Sequence, residues 1–394
     1  MTAPPGQADK AFAKIESGTA EIVGADALRG MLAEQRPLNI KLGVDPTAPD
    51  IHLGHTVGLE KLRQFQDLGH RAVLIIGDFT GMIGDPSGRS ATRPQLTHDE
   101  VMNNAKSYQQ QAFKILDPQR TRIVFNGEWF EMMPFEEVIR LNSCVTLQQM
   151  LQREDFKERM QKDVPIHAHE IQYPIMQGWD SVVVKADVEI GGTDQLFNIL
   201  VGRDLQKNQG MRQQAGVLVP ILEGLDGGQK MSKSLDNYVA VNEPPGEMFG
   251  KLMSISDELM GRYYQLLLGE HCPDGHPMEA KRELARKLVA RYHGEREAAK
   301  AREEFELRFS RRDLDSAELP ALAVAGQSVN IVDLVIRAYS EGFGQKRSRS
   351  DVRRLIEGGS VQIGGEKTSD VNAELAPEAG CVLRLDKKRA VRIA

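Results

Sequence analysis

The sequence GVDPTAPDIHLGH, residues 43–55, joins a predicted strand to a predicted helix and decides the class of fold. Before it, residues 40–44 have the apolar character of a strand. After it, apolar residues recur at near-helical spacing over 59–68, and Gly69 supplies a helix end. The run 72–76 (AVLII) then predicts the next strand, so the segment opens a right-handed strand-helix-strand unit.

Two further apolar runs, Val182–Ala186 and Val217–Pro220, predict buried strands separated by long helical segments. This alternation predicts an α/β fold with a parallel sheet flanked by helices. In such sheets, ligands bind beyond the carboxyl ends of the strands and near helix N-termini. Residues 43–55 occupy such a position, which makes them the first candidate site.

The overall composition is that of a protein with real apolar cores. The chain has 394 residues, of which 41% are hydrophobic and 27% charged, so two or three domains are expected. No apolar run is long enough for a membrane helix, and residues 1–16 lack the apolar stretch of a secretory signal. Cys144, Cys272 and Cys381 lie far apart and form no CxxC, which argues against a disulfide framework or a thiolate zinc site. We expect a cytoplasmic protein that does not contact membranes.

The character of the sequence changes after residue 242. A Pro-Pro break and mixed-charge helical sequence predict a helical domain over 243–320, and the aperiodic stretch 313–327 predicts a linker. A last domain is predicted over 329–394. Its elements are a helix over 329–339, a basic turn over 346–354, and strands over 361–365 and 381–385.

Charge is distributed unevenly along the chain. The net charge is −6, but residues 321–394 hold 12 basic and 9 acidic residues, so this tail is +3 and the remainder is −9. Such asymmetry is typical of a protein with one end that meets nucleic acid. A solvated surface with a slight basic excess explains the charges alone equally well.

Two short segments carry the strongest chemical signals. In HLGH, residues 52–55, Gly54 lets a ligand lie against the backbone, and two histidines can donate to phosphate oxygens. The segment 225–234, LDGGQKMSKS, places two ammonium groups on a glycine-rich loop, which suits a reaction whose charge develops on pyrophosphate. Each segment alone is also consistent with an ordinary helix start or a solvated turn. The chain has no GxxxxGK[ST] phosphate loop and no GxGxxG fingerprint.

Together, HLGH and KMSKS (230–234) resemble the paired signatures of class I aminoacyl-tRNA synthetases, in the order and separation of that class. Further segments resemble the tyrosyl-tRNA synthetase family of bacterial type over nearly the whole chain. They are Asp45-Pro-Thr47, IGDPSGR at 83–89, Tyr173-x-x-x-Gln177-x-x-Asp180, and IGGTDQ at 190–195. Residues from 329 to about 392 are similar to the small RNA-binding domain named after the fourth small-subunit ribosomal protein.

The resemblance implies a Rossmann-like catalytic domain over 1–242, an anticodon-recognising helical domain over 243–320, and an RNA-binding domain over 329–394. It implies adenylation of L-tyrosine by ATP, with magnesium carried by ATP and no tightly bound cofactor, followed by transfer to tRNA(Tyr). In many members, the segment corresponding to about 130–166 forms the homodimer contact.

The resemblance also assigns site residues. The implied catalytic set is Thr47, His52, His55, Lys230 and Lys233, and the implied ATP-binding set is Gly54, Asp194, Met231, Ser232, Lys233 and Ser234. The implied tyrosine-binding set is Lys41, Gly43, Asp45, Asp85, Tyr173, Gln177, Asp180 and Gln195. Within it, Asp180 would accept the phenolic hydroxyl, and Asp85, Tyr173 and Gln177 would hold the ammonium group.

Two positions depart from the family pattern. Lys41 stands where many members have a tyrosine that shares the phenol hydrogen bond, and Glu189 stands where they have glutamine before IGG. Both fit a second bacterial subtype. They leave open whether Lys41 pairs with Asp180 or with Glu189.

Two histidine-containing clusters and three other functions are alternatives to this interpretation. The histidine-containing stretches 167–170 and 271–276 lack a matching distant pair of ligands, so no metal site is predicted. Tryptophanyl-tRNA synthetases share both signatures, but the spacing of Tyr173, Gln177 and Asp180 and the C-terminal domain favour tyrosine. A metabolite adenylyltransferase would have little reason to carry the tail. A non-catalytic RNA-binding protein would not need both histidines and both lysines.

Overall fold

The structure, a computed structural model, describes residues 6–46, 49–85, 97–307, 319–386 and 389–394; at Ser234 it describes the backbone only. The chain divides into two compact units, Met1–Tyr292 and His293–Ala394. The predicted division into three domains at residues 242 and 320 stays a prediction. Among the described residues, no helix has both the length and the apolar character needed to cross a membrane.

The first unit is built on a six-stranded sheet. Its strands are β1 (Glu21–Val23), β2 (Asn39–Val44), β3 (Arg71–Ile76), β4 (Thr121–Phe125), β5 (Val188–Gly192) and β6 (Ala215–Val219). They lie in the order β1-β6-β5-β2-β3-β4, with only β1 antiparallel to its neighbour. The predicted α/β class with a parallel sheet is confirmed.

Fourteen described helices begin in this unit, and the last of them ends one residue past its boundary, at His293. They are α1 (Gln7–Glu16), α2 (Ala25–Ala33), α3 (Leu53–Asp67), α4 (Thr80–Ile83), α5 (His98–Ala112), α6 (Gly127–Phe130), α7 (Phe135–Asn142), α8 (Leu147–Met150), α9 (Glu154–Gln161), α10 (Ala168–Val183), α11 (Leu196–Asn208), α12 (Pro245–Met253), α13 (Asp257–Tyr263) and α14 (Pro277–His293). A π-helical turn, Tyr264–Leu268, follows α13, and 3₁₀ turns lie at Pro118–Arg120, Thr193–Gln195 and Lys233–Leu235.

Helix α3 forms as its apolar spacing predicts. Leu59, Leu62 and Phe65 are completely buried on one face of the helix. The helix stops before Gly69, whose φ of +92° is a conformation that glycine adopts without steric cost. Strands β2 and β3 on either side of it pair in parallel, so the predicted strand-helix-strand order is confirmed.

The predicted strand over Val182–Ala186 is wrong. Val182 and Val183 are the last residues of α10, and β5 begins only at Val188. Val184 and Ala186 are buried against Val73 and Val124 of the sheet, so packing satisfies these apolar side chains without strand pairing. Lys185, with a φ of +51°, ends the helical path.

The second unit contains α15 (Glu295–Phe305), α16 (Ile331–Phe343) and α17 (Arg349–Glu357). Its strands are β7 (Ala321–Leu322), β8 (Val329–Asn330), β9 (Gln362–Ile363), β10 (Glu366–Lys367), β11 (Glu374–Leu375), β12 (Val382–Arg384) and β13 (Ala390–Ile393). Five strands form a sheet in the order β10-β9-β12-β13-β7, and β8 pairs with β11. Buried side chains of α16, α17 and this sheet share one core.

Two predictions for the second unit are corrected. Residues 349–357 form α17 where a basic turn was predicted, because Ser348 caps the helix and Val352 and Ile356 are buried on one face. Residues 321–322, predicted as linker, form β7, which pairs in parallel with β13. Residues 313–318 of the predicted linker lie outside the described part.

Candidate active site

A cavity of about 500 Å³ opens at the carboxyl ends of β2, β5 and β6, beside the N-terminus of α3. Fifteen of the predicted site residues line it: Gly43, Asp45, His52, Gly54, His55, Asp85, Tyr173, Gln177, Asp180, Asp194, Gln195, Lys230, Met231, Ser232 and Lys233. Thr47 and the side chain of Ser234 lie outside the described residues. The sheet thus brings together residues that are up to 190 positions apart, as expected where parallel strands end.

The two histidines of HLGH stand at one end of the cavity. His52 precedes the first turn of α3, and its ring stacks on that of His55 with centroids 3.7 Å apart. The backbone N–H of His52 donates to His55 Nδ1 at 3.3 Å, which holds the second ring in place. Burial, and to a lesser extent the nearby His55 and Lys233, lower the pKa of His52 to about 2. His52 is therefore neutral near pH 7 and acts as a hydrogen-bonding group.

The KMSKS segment approaches these histidines from the loop after β6. The sulfur of Met231 accepts a hydrogen bond from the backbone N–H of Gly54 at 3.3 Å, which joins the two signature segments directly. Lys230 is exposed. Lys233 lies 3.6 Å from the carboxylate of Asp50. Two cationic groups thus stand at the same end of the cavity as the histidines.

Asn237, which the sequence analysis missed, fastens this loop. Its side chain is buried, its Oδ1 accepts from the backbone N–H of Ser232 at 2.8 Å, and its Nδ2 donates to the backbone oxygen of Lys230 at 3.2 Å. Nδ2 also donates to Asp226 Oδ2 at 2.7 Å. A Cβ at Gly224 would lie 2.2 Å from the Asn237 side chain, so glycine is required there. A single amide therefore sets the backbone of the signature segment.

Asp180 marks the opposite end of the cavity. Its carboxylate is only 4% exposed and accepts from Trp129 Nε1 at 3.0 Å and from Asn126 Nδ2 at 3.4 Å. Burial raises its pKa to about 7, while Lys41 and the two donors act in the opposite direction. Trp129 and Asn126 were not predicted, because neither belongs to a short motif in the sequence.

A second carboxylate, Asp45, is held at both oxygens. Tyr173 donates its hydroxyl to Oδ2 at 2.8 Å, and Thr80 donates to Oδ1 at 2.9 Å. Burial, followed by the charge of Asp45, raises the pKa of Tyr173, so the hydroxyl stays protonated. Asp45 therefore orients the tyrosine ring and the loop after β2. A side chain at Gly77 would collide with this carboxylate, since its Cβ would lie 2.1 Å from Asp45 Oδ1.

Lys41 lies behind the cavity and does not line it. Its fully buried ammonium group donates to the backbone oxygen of Gln177 and to Ser181 Oγ, both at 2.7 Å, and lies 2.8 Å from Glu189 Oε1. The open pairing question is resolved in favour of Glu189. Because these contacts direct the ammonium away from the cavity, the structure does not support direct contact between Lys41 and the amino acid.

Polar groups between the two ends come from the turn after β5. Gln195 Nε2 donates to Asp85 Oδ2 at 2.8 Å. Burial, and then the charge of Asp85, raise the pKa of Asp194. These groups line the same cavity as the buried carboxylate of Asp180 and the lysines of KMSKS.

Comparison with known proteins identifies the class. The family model described as tRNA synthetases class I (W and Y) matches residues 33–310. A parallel sheet with HLGH and KMSKS at one cavity, together with this match, defines a class I tRNA synthetase of the tryptophan and tyrosine branch.

Individual relatives distinguish between the tryptophan and tyrosine branches. The tyrosine–tRNA ligase of Oleidesulfovibrio alaskensis is 48% identical and the match covers 98% of each chain. That of Syntrophotalea carbinolica is 47% identical, with 97% of each chain covered. The chain belongs to the tyrosine–tRNA ligase family. The fold is also that of a C-terminally truncated mitochondrial tyrosyl-tRNA synthetase from Aspergillus nidulans, with a TM-score of 0.63 at 23% identity over 76% of this chain and 94% of that one.

Proposed function

We propose that the chain activates L-tyrosine with ATP, forming tyrosyl-adenylate and pyrophosphate, and then transfers tyrosine to the 3′ end of tRNA(Tyr). One observation carries the proposal: a single cavity joins the buried carboxylate of Asp180 to the histidines and lysines of HLGH and KMSKS. The first group suits a phenol, and the others suit phosphates. Nearly full-length similarity to tyrosine–tRNA ligases supports the same reaction.

The nucleotide end stabilises the charge that develops on ATP. The substrate carboxylate is a nucleophile at neutral pH and attacks the α-phosphate, so catalysis rests on positioning and on stabilising phosphate charge. The proposed phosphate-binding groups are Thr47, His52, His55, Lys230 and Lys233. Gly54, Met231, Ser232 and Ser234 line the nucleotide, and Asp194 faces its ribose. Magnesium enters with ATP as part of the substrate and shields phosphate charge.

The amino-acid end selects tyrosine. Ionised Asp180 accepts the phenolic hydroxyl in addition to its two protein donors, and when phenylalanine binds this third donor is missing, which is costly for a buried charge. Asp85, Tyr173 and Gln177 hold the ammonium group, with Gly43 and Asp45 shaping the same region. Gln195 lies near the substrate carboxylate. Lys41 does not contact the substrate, and it holds this end of the cavity through its contacts to the backbone of Gln177 and to Glu189.

The homodimer is proposed from the segment 130–166. This short stretch carries five large apolar side chains that are more than half exposed: Met132, Phe135, Ile139, Leu147 and Met160. Such a concentration of exposed apolar surface is typical of a protein contact. A symmetric dimer with tRNA crossing both subunits would cover it. A monomer of unchanged activity in light scattering would overturn this part of the proposal.

The other partner is tRNA. We assign anticodon recognition to the predicted helical domain over 243–320 and RNA binding to residues 329–394, whose sequence carries a basic excess. Contacts to phosphates predict an affinity that falls as salt rises. The three cysteines are unpaired, which fits our assignment to the reducing cytoplasm.

Amino-acid-dependent exchange of pyrophosphate into ATP, measured with each of the twenty amino acids and without tRNA, tests the proposal. Exchange with tyrosine alone is expected. Exchange with tryptophan would reassign the amino acid and remove the role of Asp180. No exchange from folded protein would contradict adenylation and would favour a metabolite adenylyltransferase or an RNA-binding protein.

A further inference from the structure

Three side-chain amides form a branched hydrogen-bond network at the amino-acid end. Asn198 Nδ2 donates to Gln177 Oε1 at 2.8 Å and to Gln195 Oε1 at 2.9 Å. Gln177 Nε2 donates onward to Glu189 Oε1 at 3.1 Å, and Gln195 Nε2 donates to Asp85 Oδ2 at 2.8 Å. Two of these amides line the cavity, so their orientation decides which atoms a substrate meets.

An amide can turn by 180° and exchange its donor for its acceptor, so the network needs fixed ends to hold one orientation. The carboxylates Glu189 and Asp85 accept hydrogen bonds and fix two ends. The third end is Arg153, whose Nη1 donates to Asn198 Oδ1 at 3.0 Å. A guanidinium has donors only, so Asn198 must turn its oxygen to Arg153 and its nitrogen to both glutamines.

Arg153 is itself held rigidly outside the cavity. It is 4% exposed, and its Nε and Nη2 donate to the two oxygens of Asp155 at 3.0 and 3.1 Å. The guanidinium carbon lies 5.0 Å from the ring centroid of Phe156 and 5.5 Å from that of Phe197. A buried, doubly paired guanidinium is a firm anchor for the polarity of a neighbouring amide.

We propose that Arg153 is a positioning residue for the amino-acid substrate: through Asn198 it fixes the Gln177 amide, which faces the ammonium group, and the Gln195 amide, which donates to Asp85 of the ammonium site. The inference rests on the proposed function, which assigns Asp85, Tyr173 and Gln177 to that group. Without the guanidinium, Asn198 can turn its oxygen toward the glutamine oxygens. Gln177 then loses the donor that holds Oε1 in place.

The variant Arg153→Met removes the donor but keeps an unbranched apolar side chain next to the rings of Phe156 and Phe197. We expect the KM for tyrosine to rise about tenfold, the effect of one charged hydrogen bond, while the KM for ATP stays within about twofold. Asn198→Asp is the second variant, because it keeps a partner for Arg153 and removes the two amide donors. The same pattern is expected from it. Arg29→Met, which removes an exposed guanidinium paired with Asp26, is the matched control.

Two tyrosine analogues separate positioning from a general loss of structure. Tyramine keeps the ammonium group and lacks the carboxylate, whereas 3-(4-hydroxyphenyl)propionate keeps the carboxylate and lacks the ammonium group. Both analogues are tested as inhibitors of pyrophosphate exchange. In Arg153→Met, the inhibition constant of tyramine should rise by about the same factor as the KM for tyrosine, and that of the deaminated acid should stay within about twofold of the wild-type value. Asp85→Asn is measured alongside as the reference for the ammonium site.

If Arg153→Met and Asn198→Asp weaken the binding of tyrosine, tyramine and the deaminated acid equally, the role of Arg153 is merely structural and the proposal is overturned. If Asp85→Asn weakens tyramine while the two network variants leave it unchanged, the role of Arg153 is overturned and the proposed function stands. If Asp85→Asn also leaves tyramine unchanged, the assignment of the ammonium site fails and the proposal falls with it.

Discussion

The two ends of the cavity are built in opposite ways. At the proposed amino-acid end, Asp180, Lys41 and Glu189 are buried and hydrogen-bonded to protein groups. At the proposed nucleotide end, Lys230 is exposed, and the backbone around it is held by the side chain of Asn237. One end is a buried arrangement of paired groups, and the other presents charge from a loop.

This difference matches two chemical tasks. Selecting one amino acid requires acceptors and donors whose positions do not change when the wrong substrate enters. Stabilising a departing pyrophosphate requires positive charge where negative charge develops, and a loop can bring it there during the reaction. We therefore expect substitutions at the amino-acid end to change stability and specificity, and substitutions at the nucleotide end to change rate.

The largest expected effect concerns the stability that the buried pair Lys41–Glu189 contributes at the amino-acid end. Lys41→Met leaves the buried carboxylate of Glu189 without its cationic partner, and Glu189→Gln leaves the buried ammonium group of Lys41 without its anionic partner. Each should lower the free energy of unfolding by about 3–5 kcal/mol. The double variant should lose less than the sum of the two single losses. Denaturant unfolding of all four proteins measures this, and additive losses would mean that the two residues do not act as a pair.

The second prediction concerns pH. Burial raises the pKa of Asp180 to about 7, so this carboxyl is protonated below that pH and cannot accept the phenol as a carboxylate. The kcat/KM for tyrosine should therefore fall about tenfold as pH is lowered from 8 to 6, since this ratio reports the free enzyme. The native state also holds this proton more tightly than the unfolded chain, so this group's contribution to stability falls as pH rises from about 4 to 7.

The control is Asp180→Asn, whose kcat/KM should show no step near pH 7. A step that persists in this variant would belong to another group and would remove Asp180 from the pH profile.

The smallest effect is expected at Asn237. This residue belongs to the nucleotide end, but its side chain is buried and hydrogen-bonded like those of the amino-acid end. Asn237→Ala removes the contacts to Ser232 and Lys230, so the rate of pyrophosphate exchange should fall about fivefold, the value of about one hydrogen bond. Tyrosine affinity, measured by equilibrium binding, should not change. A loss of tyrosine affinity as large as the loss in rate would show that the two ends are not separable.

The parallel sheet was predicted from local apolar patterns, and most of the cavity from short motifs that resemble a known family. The apolar runs around 72–76 and 217–220 became β3 and β6, and HLGH and KMSKS came to one cavity. Val182–Ala186 was misassigned because a β-branched run at the end of a buried helix has the same composition as a short buried strand.

The network behind the cavity could not be predicted in the same way. Trp129, Arg153 and Asn237 act through side-chain partners that are distant in sequence or that depend on a particular loop geometry. Neither the periodicity of apolar residues nor the spacing within a short motif predicts such partners. Lys41 illustrates the limit: it stands where many members of the resembled family have a tyrosine that contacts the phenol, which predicted a ligand contact, while its actual partners lie on α10 and β5.

The most direct test of the two-ended account is the ratio of kcat/KM for tyrosine to that for phenylalanine in pyrophosphate exchange, measured in the wild type, Asp180→Asn and Lys233→Ala. Lys233→Ala should lower both values by about 10²-fold or more and leave the ratio unchanged. Asp180→Asn should lower the ratio itself by about tenfold or more, because the buried acceptor then loses its charge. A ratio that changes in Lys233→Ala and stays at the wild-type value in Asp180→Asn would contradict the account.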